Sequence, residues 1–268
     1  MTASYSTGDI DDATPPPEGM PQARPAGTHM TNATLQTPRG SKVFPQPPSA
    51  HLMEPGLTTA NLLEKGCAHL IKVDPKLKPV IEQNYCKIFS QEGLAEKIDP
   101  FRSLVSGICG QQVSGAAAKS IKNKFIGLFN EGVKGPHAFP TPQEVAASNI
   151  PRLRQAGLSE RKAEYVKGLA EKFANGELTA KMLAEASDNE VMERLTAVRG
   201  LGKWSVEMFA CFALKRMDII SVGDLGVQRG MAAYLGRDIA KLKAKGGKDK
   251  YISPKDMLEV SAKFSPYR

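Results

Sequence analysis

Residues 195–230 combine a framework that can hold a phosphate with a group that can act on the nucleotide so held. The stretch reads LTAVRGLGKWSVEMFACFALKRMDIISVGDLGVQRG. Leu195, Val198, Leu201, Val206 and Phe209 surround Gly200 and Gly202 in the pattern hxxhxGhGxxxhxxh, where h is apolar. The pattern predicts two short helices joined by a tight turn. Gly200 and Gly202 fall where the chain must take positive φ and pass close to a ligand. Leu201 plugs back between the two helices. Amides exposed at the start of the second helix bind a phosphate without regard to base sequence. A plain helical hairpin ending in a glycine C-cap fits the same letters.

Asp224 comes about two dozen residues after the turn, in Val-Gly-Asp-Leu-Gly-Val, and opens an apolar helical run. Asp is a common N-cap, and that is its ordinary role at such a place. The helix dipole stabilises a carboxylate there as an anion, so capping and chemistry are compatible. An ionised Asp facing a nucleotide can stabilise a developing positive sugar or guide a water.

The elements that must position these groups read as helices. Leu62, Leu63, Cys67, Leu70 and Ile71 repeat at three- and four-residue spacing from Thr59 onward. Val80, Ile81, Tyr85, Ile88 and Phe89 do so after Pro79, and Phe101, Leu104, Val105 and Ile108 form another stripe. That stripe breaks at Gly110-Gln-Gln-Val-Ser114, where Ser114 reads as the N-cap of a helix through Ala117, Ile121, Phe125 and Leu128. Pro142 and Pro151 open short helices, and Ser159 caps a longer one ending near Gly176. Thr179–Ala184, Asp188–Leu195, Lys203–Leu214, Leu225–Leu235 and Pro254–Phe264 complete the series. Strand patterns are almost absent, with Asp218–Val222 the one extended candidate. The expected fold class is all-α. Residues 1–50, rich in Pro, Thr, Ser and Gly, are expected to be a disordered tail. Gly246-Gly247, amid Lys241, Lys243, Lys245, Lys248 and Lys250, is expected to be a mobile basic loop, more simply a solvated lysine face than a DNA grip.

The chain has 268 residues and a net charge of +8. Residues 1–50 carry one net negative charge, which leaves +9 on residues 51–268. Such a surplus fits a polyanionic partner, and equally an ordinary basic protein. Cys67, Cys86, Cys109 and Cys211 form no CxxC knuckle and read as reduced, partly buried thiols of an intracellular protein. No apolar run reaches membrane-spanning length and no secretory signal is expected.

At this point the residues carry a resemblance. GLGKWSVEMFACFAL followed by VGDLGVQRG resembles the helix-hairpin-helix/Gly-Asp superfamily of DNA base-excision glycosylases. SLVSGICGQQVSGAAAKSI, FPTPQEVAA and LRQAGLSERKAEYVKGLAEKF resemble, in that order, its alkylbase branch, the 3-methyladenine DNA glycosylase II type. The likeness covers roughly residues 60–268.

The resemblance implies a two-lobed helical fold with a DNA cleft between lobes. One lobe is expected from residues 101–214, the other from 51–100 together with 215–268. It implies Asp224 as the catalytic acid and Gly200, Gly202 and Lys203 on the DNA backbone. It places Trp204 and Met208 in the base pocket, Met208 standing where bacterial relatives carry a Tyr. Gln112 is implied as the wedge that enters the stack where the base leaves. No cofactor is required, although in that family the hairpin often carries a monovalent cation, here sodium or potassium on carbonyls near Gly200.

Bifunctional relatives place a Schiff-base Lys two residues after the second glycine, where this chain has Trp204. Lys203 lies one residue early, and one residue on a helix turns a side chain by about 100°. A monofunctional enzyme acting on alkylated duplex DNA, as a monomer, is therefore expected. A bifunctional lyase using Lys203 and a non-catalytic lesion binder are the alternatives. The four clustered cysteines of the iron–sulfur branch are not seen. Relatives continue past Phe264-Ser-Pro-Tyr-Arg268 into a further helix, and some bear an N-terminal β domain not read in residues 1–50. A nuclear location follows from function if the source is eukaryotic.

Overall fold

The computed structural model describes residues 21–44, 53–132, 137–245 and 251–268. Most of these residues are helical, as the apolar spacing predicts. Helices α1 (Leu62–Val73), α2 (Lys78–Gln83), α3 (Gln91–Ala95), α4 (Pro100–Gly110) and α5 (Gly115–Leu128) come first. They are followed by α6 (Pro142–Ala146), α7 (Ile150–Arg154), α8 (Glu160–Ala174), α9 (Ala180–Glu185) and α10 (Asp188–Thr196). The last four are α11 (Lys203–Phe212), α12 (Leu225–Tyr234), α13 (Ile239–Lys245) and α14 (Pro254–Ala262).

Side-chain caps set most of the helix starts. Ser114 accepts from the Ala117 amide and Ser159 from the Lys162 amide. Thr141 with Glu144, and Ser187 with Glu190, form reciprocal capping boxes on α6 and α10. Such a cap is worth about 1 kcal/mol. The main hydrophobic cluster gathers Phe101, Leu104, Ile108, Phe125, Val166, Leu169, Leu195, Val206 and Phe209, which ties α4, α5, α8, α10 and α11 together. A second cluster joins Ala26, Leu57, Leu62 and Leu94 with Met217 and Tyr267. A third centres on Ala232, Tyr251, Ile252 and Met257.

Four expectations are corrected. Residues 21–44 are not a disordered tail: Ala26, Met30, Ala33 and Leu35 are buried. Asn32 holds this segment by side-chain bonds to the Gly27 carbonyl at 2.8 Å and the Lys215 carbonyl at 2.9 Å. Arg216, itself buried, donates to Asp188 and to Thr31. Long-range polar bonds thus order a segment whose apolar content is low. Residues 1–20 and 45–50 lie outside the described residues. Second, the stripe after Pro79 stops at Gln83, because the Asn84 side chain turns back to the Val80 carbonyl at 2.8 Å. Lys87–Phe89 then forms a separate 3-10 turn.

Third, Lys241 and Lys243 belong to a helix rather than a mobile loop. Asp238 accepts from the Lys241 amide, and Ile239 and Leu242 pack on the third cluster. Gly246–Lys250 lies outside the described residues. Fourth, short strands exist. Strand β1 (Thr34–Gln36) pairs antiparallel with β2 (Val43–Phe44) and parallel with β3 (Lys97–Ile98). The extended candidate Asp218–Val222 forms no strand, although the Ile219 amide reaches the Arg268 carbonyl at 2.9 Å. Among the described residues, no helix is long and apolar enough to cross a membrane. All four cysteines are free, and burial pushes the Cys211 thiol up to about 11.

Candidate active site

The hairpin forms as its apolar offsets require. Leu195, Val198, Leu201, Val206 and Phe209 are all buried, and the Leu201 amide closes the turn on the Val198 carbonyl at 3.0 Å. The two glycines differ. Gly200 has φ +98°, and a Cβ there would lie 2.3 Å from Cγ of Tyr165 on α8. Gly202 has φ −85° and ψ 168°, extended backbone open to any residue. A Cβ there would meet nothing within 4 Å. The expectation of positive φ therefore holds for Gly200 and is corrected for Gly202, whose open side suits close approach by a ligand instead.

Gly202 is the N-cap of α11, and no side chain caps that helix. The first-turn amides of Lys203, Trp204 and Ser205 thus lack the side-chain acceptor that Ser187 supplies to α10. Free amides and the positive end of the helix dipole make an anion site here. Arg199, 73% exposed, stands on the same turn with its guanidinium over the Tyr165 ring and in contact with Glu164 at 3.0 Å.

Asp224 caps α12, its Oδ1 accepting from the Val227 amide at 2.8 Å. Its Oδ2 accepts from Trp204 Nε1 at 2.9 Å. One carboxylate oxygen is thus fixed by α12 and the other by the first turn of α11, and each keeps a further lone pair for a ligand. Trp204 is 46% exposed and Leu225 is 40% exposed, so apolar surface flanks the carboxylate. Such surface can receive a flat ring beside a group that stabilises positive charge. Met208 lies one turn after Trp204, on the same side of α11 and half-buried.

Lys203 takes a different direction. Its side chain is 69% exposed and its ammonium lies 3.8 Å from Glu207 Oε1. The residue of that turn in contact with Asp224 is Trp204. Gln112 is exposed at the corner between α4 and α5, in the left-handed region at φ 55°.

Sequence reasoning missed four supporting residues. Glu207 is buried on α11 and accepts from Ser221 Oγ at 2.6 Å, while the Ser221 carbonyl accepts the Asp224 amide at 3.2 Å. This pair sets the Asp224 turn against the hairpin helix. A lone Glu in the apolar run KWSVEMFACF is the signal that could have found it. Tyr165 shapes Gly200, as above. Gln111 donates from Nε2 to the Gly200 carbonyl at 2.9 Å. Lys162 donates to the Cys109 and Gln111 carbonyls at 3.0 and 2.7 Å. No local pattern announces these last two.

Among the described residues no cluster of His, Cys, Asp or Glu could hold a metal. The carbonyls of Val198 and Gly200 each accept one protein hydrogen bond. Each keeps a second lone pair.

A tight glycine hairpin, an uncapped helix start and a carboxylate braced beside an exposed indole make a candidate nucleic-acid-processing site. The family model for the HhH-GPD superfamily of base excision DNA repair proteins matches residues 105–260. The chain belongs to that superfamily. It is 34% identical over 223 residues to a DNA-3-methyladenine glycosylase of Saccharomyces cerevisiae, covering 75% of this chain and 75% of that protein. It is also 34% identical over 178 residues to DNA-3-methyladenine glycosylase 1 of Schizosaccharomyces pombe, covering 65% and 74%. A solved 3-methyladenine DNA glycosylase of Schizosaccharomyces pombe, in complex with abasic DNA, superposes with a TM-score of 0.56 at 27% identity. It covers 76% of this chain and 91% of that one.

Proposed function

We propose that this protein is a monofunctional alkylpurine DNA glycosylase, acting as a monomer on duplex DNA. The observation that carries the reading is the Trp204 Nε1 to Asp224 Oδ2 bond of 2.9 Å. It brings an exposed aromatic face and a braced carboxylate together, at the helix position where a lyase would need a lysine. The names of the relatives, and abasic DNA in the Schizosaccharomyces pombe structure, support it.

The chemistry follows from the geometry. A base within a duplex cannot be reached, so it is flipped out at a cost of roughly a few kcal/mol. The α11 amides hold the backbone and Gln112 fills the gap. Alkylation at N3 or N7 makes the purine cationic, and a cation stacked on an indole gains about 0.5–2 kcal/mol. The glycosidic bond breaks with both electrons going to the base, which leaves neutral. The positive sugar is stabilised by Asp224, as a carboxylate serves in glycoside hydrolysis. Water adds at C1′ and gives up a proton, leaving an abasic site and a free base. A sodium or potassium ion on the Val198 and Gly200 carbonyls would add positive charge beside the bound phosphate. In a eukaryotic cell the work of such an enzyme lies in the nucleus.

Base release from methylated duplex tests the reading. Wild type should free methylpurines, with strand breaks only after alkali. Asp224→Asn should be slower by about 10²–10³, the range for removing a preorganised charge-stabilising group. Breaks without alkali, or a borohydride-trapped adduct, would favour the lyase. Tight binding to abasic-analogue DNA with no release would favour a lesion binder.

A further inference from the structure

We propose that Gln111 and Lys162 are positioning residues that fix the aim of Gln112 relative to the hairpin's hold on the DNA backbone. The proposal rests on the reading of Gln112 as the side chain that enters the stack.

Gln112 occupies a backbone region that side chains other than glycine seldom adopt. Such a conformation persists only where its surroundings hold it. Here the residue before it is held at three points. The Gln111 amide bonds the Ile108 carbonyl at 3.3 Å, its carbonyl accepts from Lys162, and its side chain reaches the Gly200 carbonyl. The last bond spans 89 residues of sequence and joins the wedge corner directly to the hairpin turn.

A second link runs beneath. Lys162 and Tyr165 lie three residues apart on one face of α8. Tyr165 packs under Gly200 and Lys162 under the end of α4. One rigid helix therefore carries both the floor of the hairpin and the prop of the wedge corner. Lys162 places its cation at the C-terminal end of α4, where the helix dipole favours it. Burial pushes its pKa down. The function of this brace is registration. A wedge must enter the stack at a fixed spacing from the phosphate the hairpin holds, and a free corner would not keep that spacing.

A double-mutant cycle on single-turnover release of an alkylated base tests this, with thermal unfolding measured alongside. Gln111→Ala should slow release roughly tenfold to a hundredfold, as small misplacements of reacting groups do. In a Gln112→Ala background the same change should cost less than about twofold, because coupled residues are non-additive. Lys162→Met should behave likewise, and Lys162→Arg, which keeps donors for both carbonyls, should restore the rate. Full additivity of Gln111→Ala with a slow Gln112→Ala enzyme overturns the proposal and leaves the wedge intact. A Gln112→Ala enzyme as fast as wild type overturns the wedge reading and the proposal with it.

Discussion

The two helices of the hairpin begin in opposite ways. At α10, Ser187 and Glu190 reciprocally satisfy two of the amides at the helix start. At α11, Gly202 supplies no side chain to cap the helix, and a Cβ at that position would meet nothing within 4 Å. The first arrangement contributes stability, and the second forgoes a side-chain cap at the place proposed to bind the DNA backbone. The same contrast separates two aspartates. Asp74 is enclosed by Tyr234, Lys263 and the Lys76 amide. Asp224 uses one oxygen to cap and one to meet Trp204, beside exposed apolar surface. The proposed site sits where ordinary capping and pairing stop short.

The largest effect should come from the turn that separates the two helices. Gly200→Ala would drive a methyl into Tyr165 in a backbone region hostile to side chains. It should destabilise by about 3 kcal/mol or more, measured by urea unfolding. Gly202→Ala, by contrast, should unfold within a few tenths of a kcal/mol of wild type plus the small loss of an N-cap glycine. Equal costs at the two positions would erase the distinction drawn between them.

Gly202→Asp should close the open helix start. Its carboxylate would cap α11 while facing the phosphate, so DNA affinity should fall about tenfold or more. That corresponds to one charge-assisted hydrogen bond of roughly 1.5–3 kcal/mol. Unchanged affinity in a filter-binding titration would show that the amides are not the grip. Ser187→Ala is the converse. It should cost about 1 kcal/mol of stability and leave DNA affinity as it was. A loss of binding there would mean that α10 touches the DNA.

The smallest effect should appear only in acid. Tyr234, Lys76 and Lys263 hold the Asp74 carboxyl down to about 2, against an ordinary value near 3.9. A depressed carboxylate contributes stability that is complete above its unfolded pKa and is lost as pH falls through the folded one. Wild type should therefore lose stability more steeply than Asp74→Asn between about pH 4 and about pH 2. Parallel urea midpoints over that range would remove Asp74 from the enclosed class.

Much of the fold was legible because capping and periodicity are local. Ser114 and Ser159 cap where the letters placed them, and the apolar offsets around Gly200 are buried. The order of residues 21–44 was not legible. Asn32 and Arg216 hold that segment through carbonyls and side chains far away in the chain, and composition cannot report a distant partner.

The sequence by itself determined the helices, the hairpin and an aspartate placed to cap α12, since each depends on residues within a turn or two of one another. Only the tertiary structure decided that Trp204 meets Asp224, that Gln111 joins the corner between α4 and α5 to Gly200, and that Glu207 steadies Ser221. Those bonds cross between elements, and their geometry depends on how whole helices pack. The letters of any single segment carry no record of that packing.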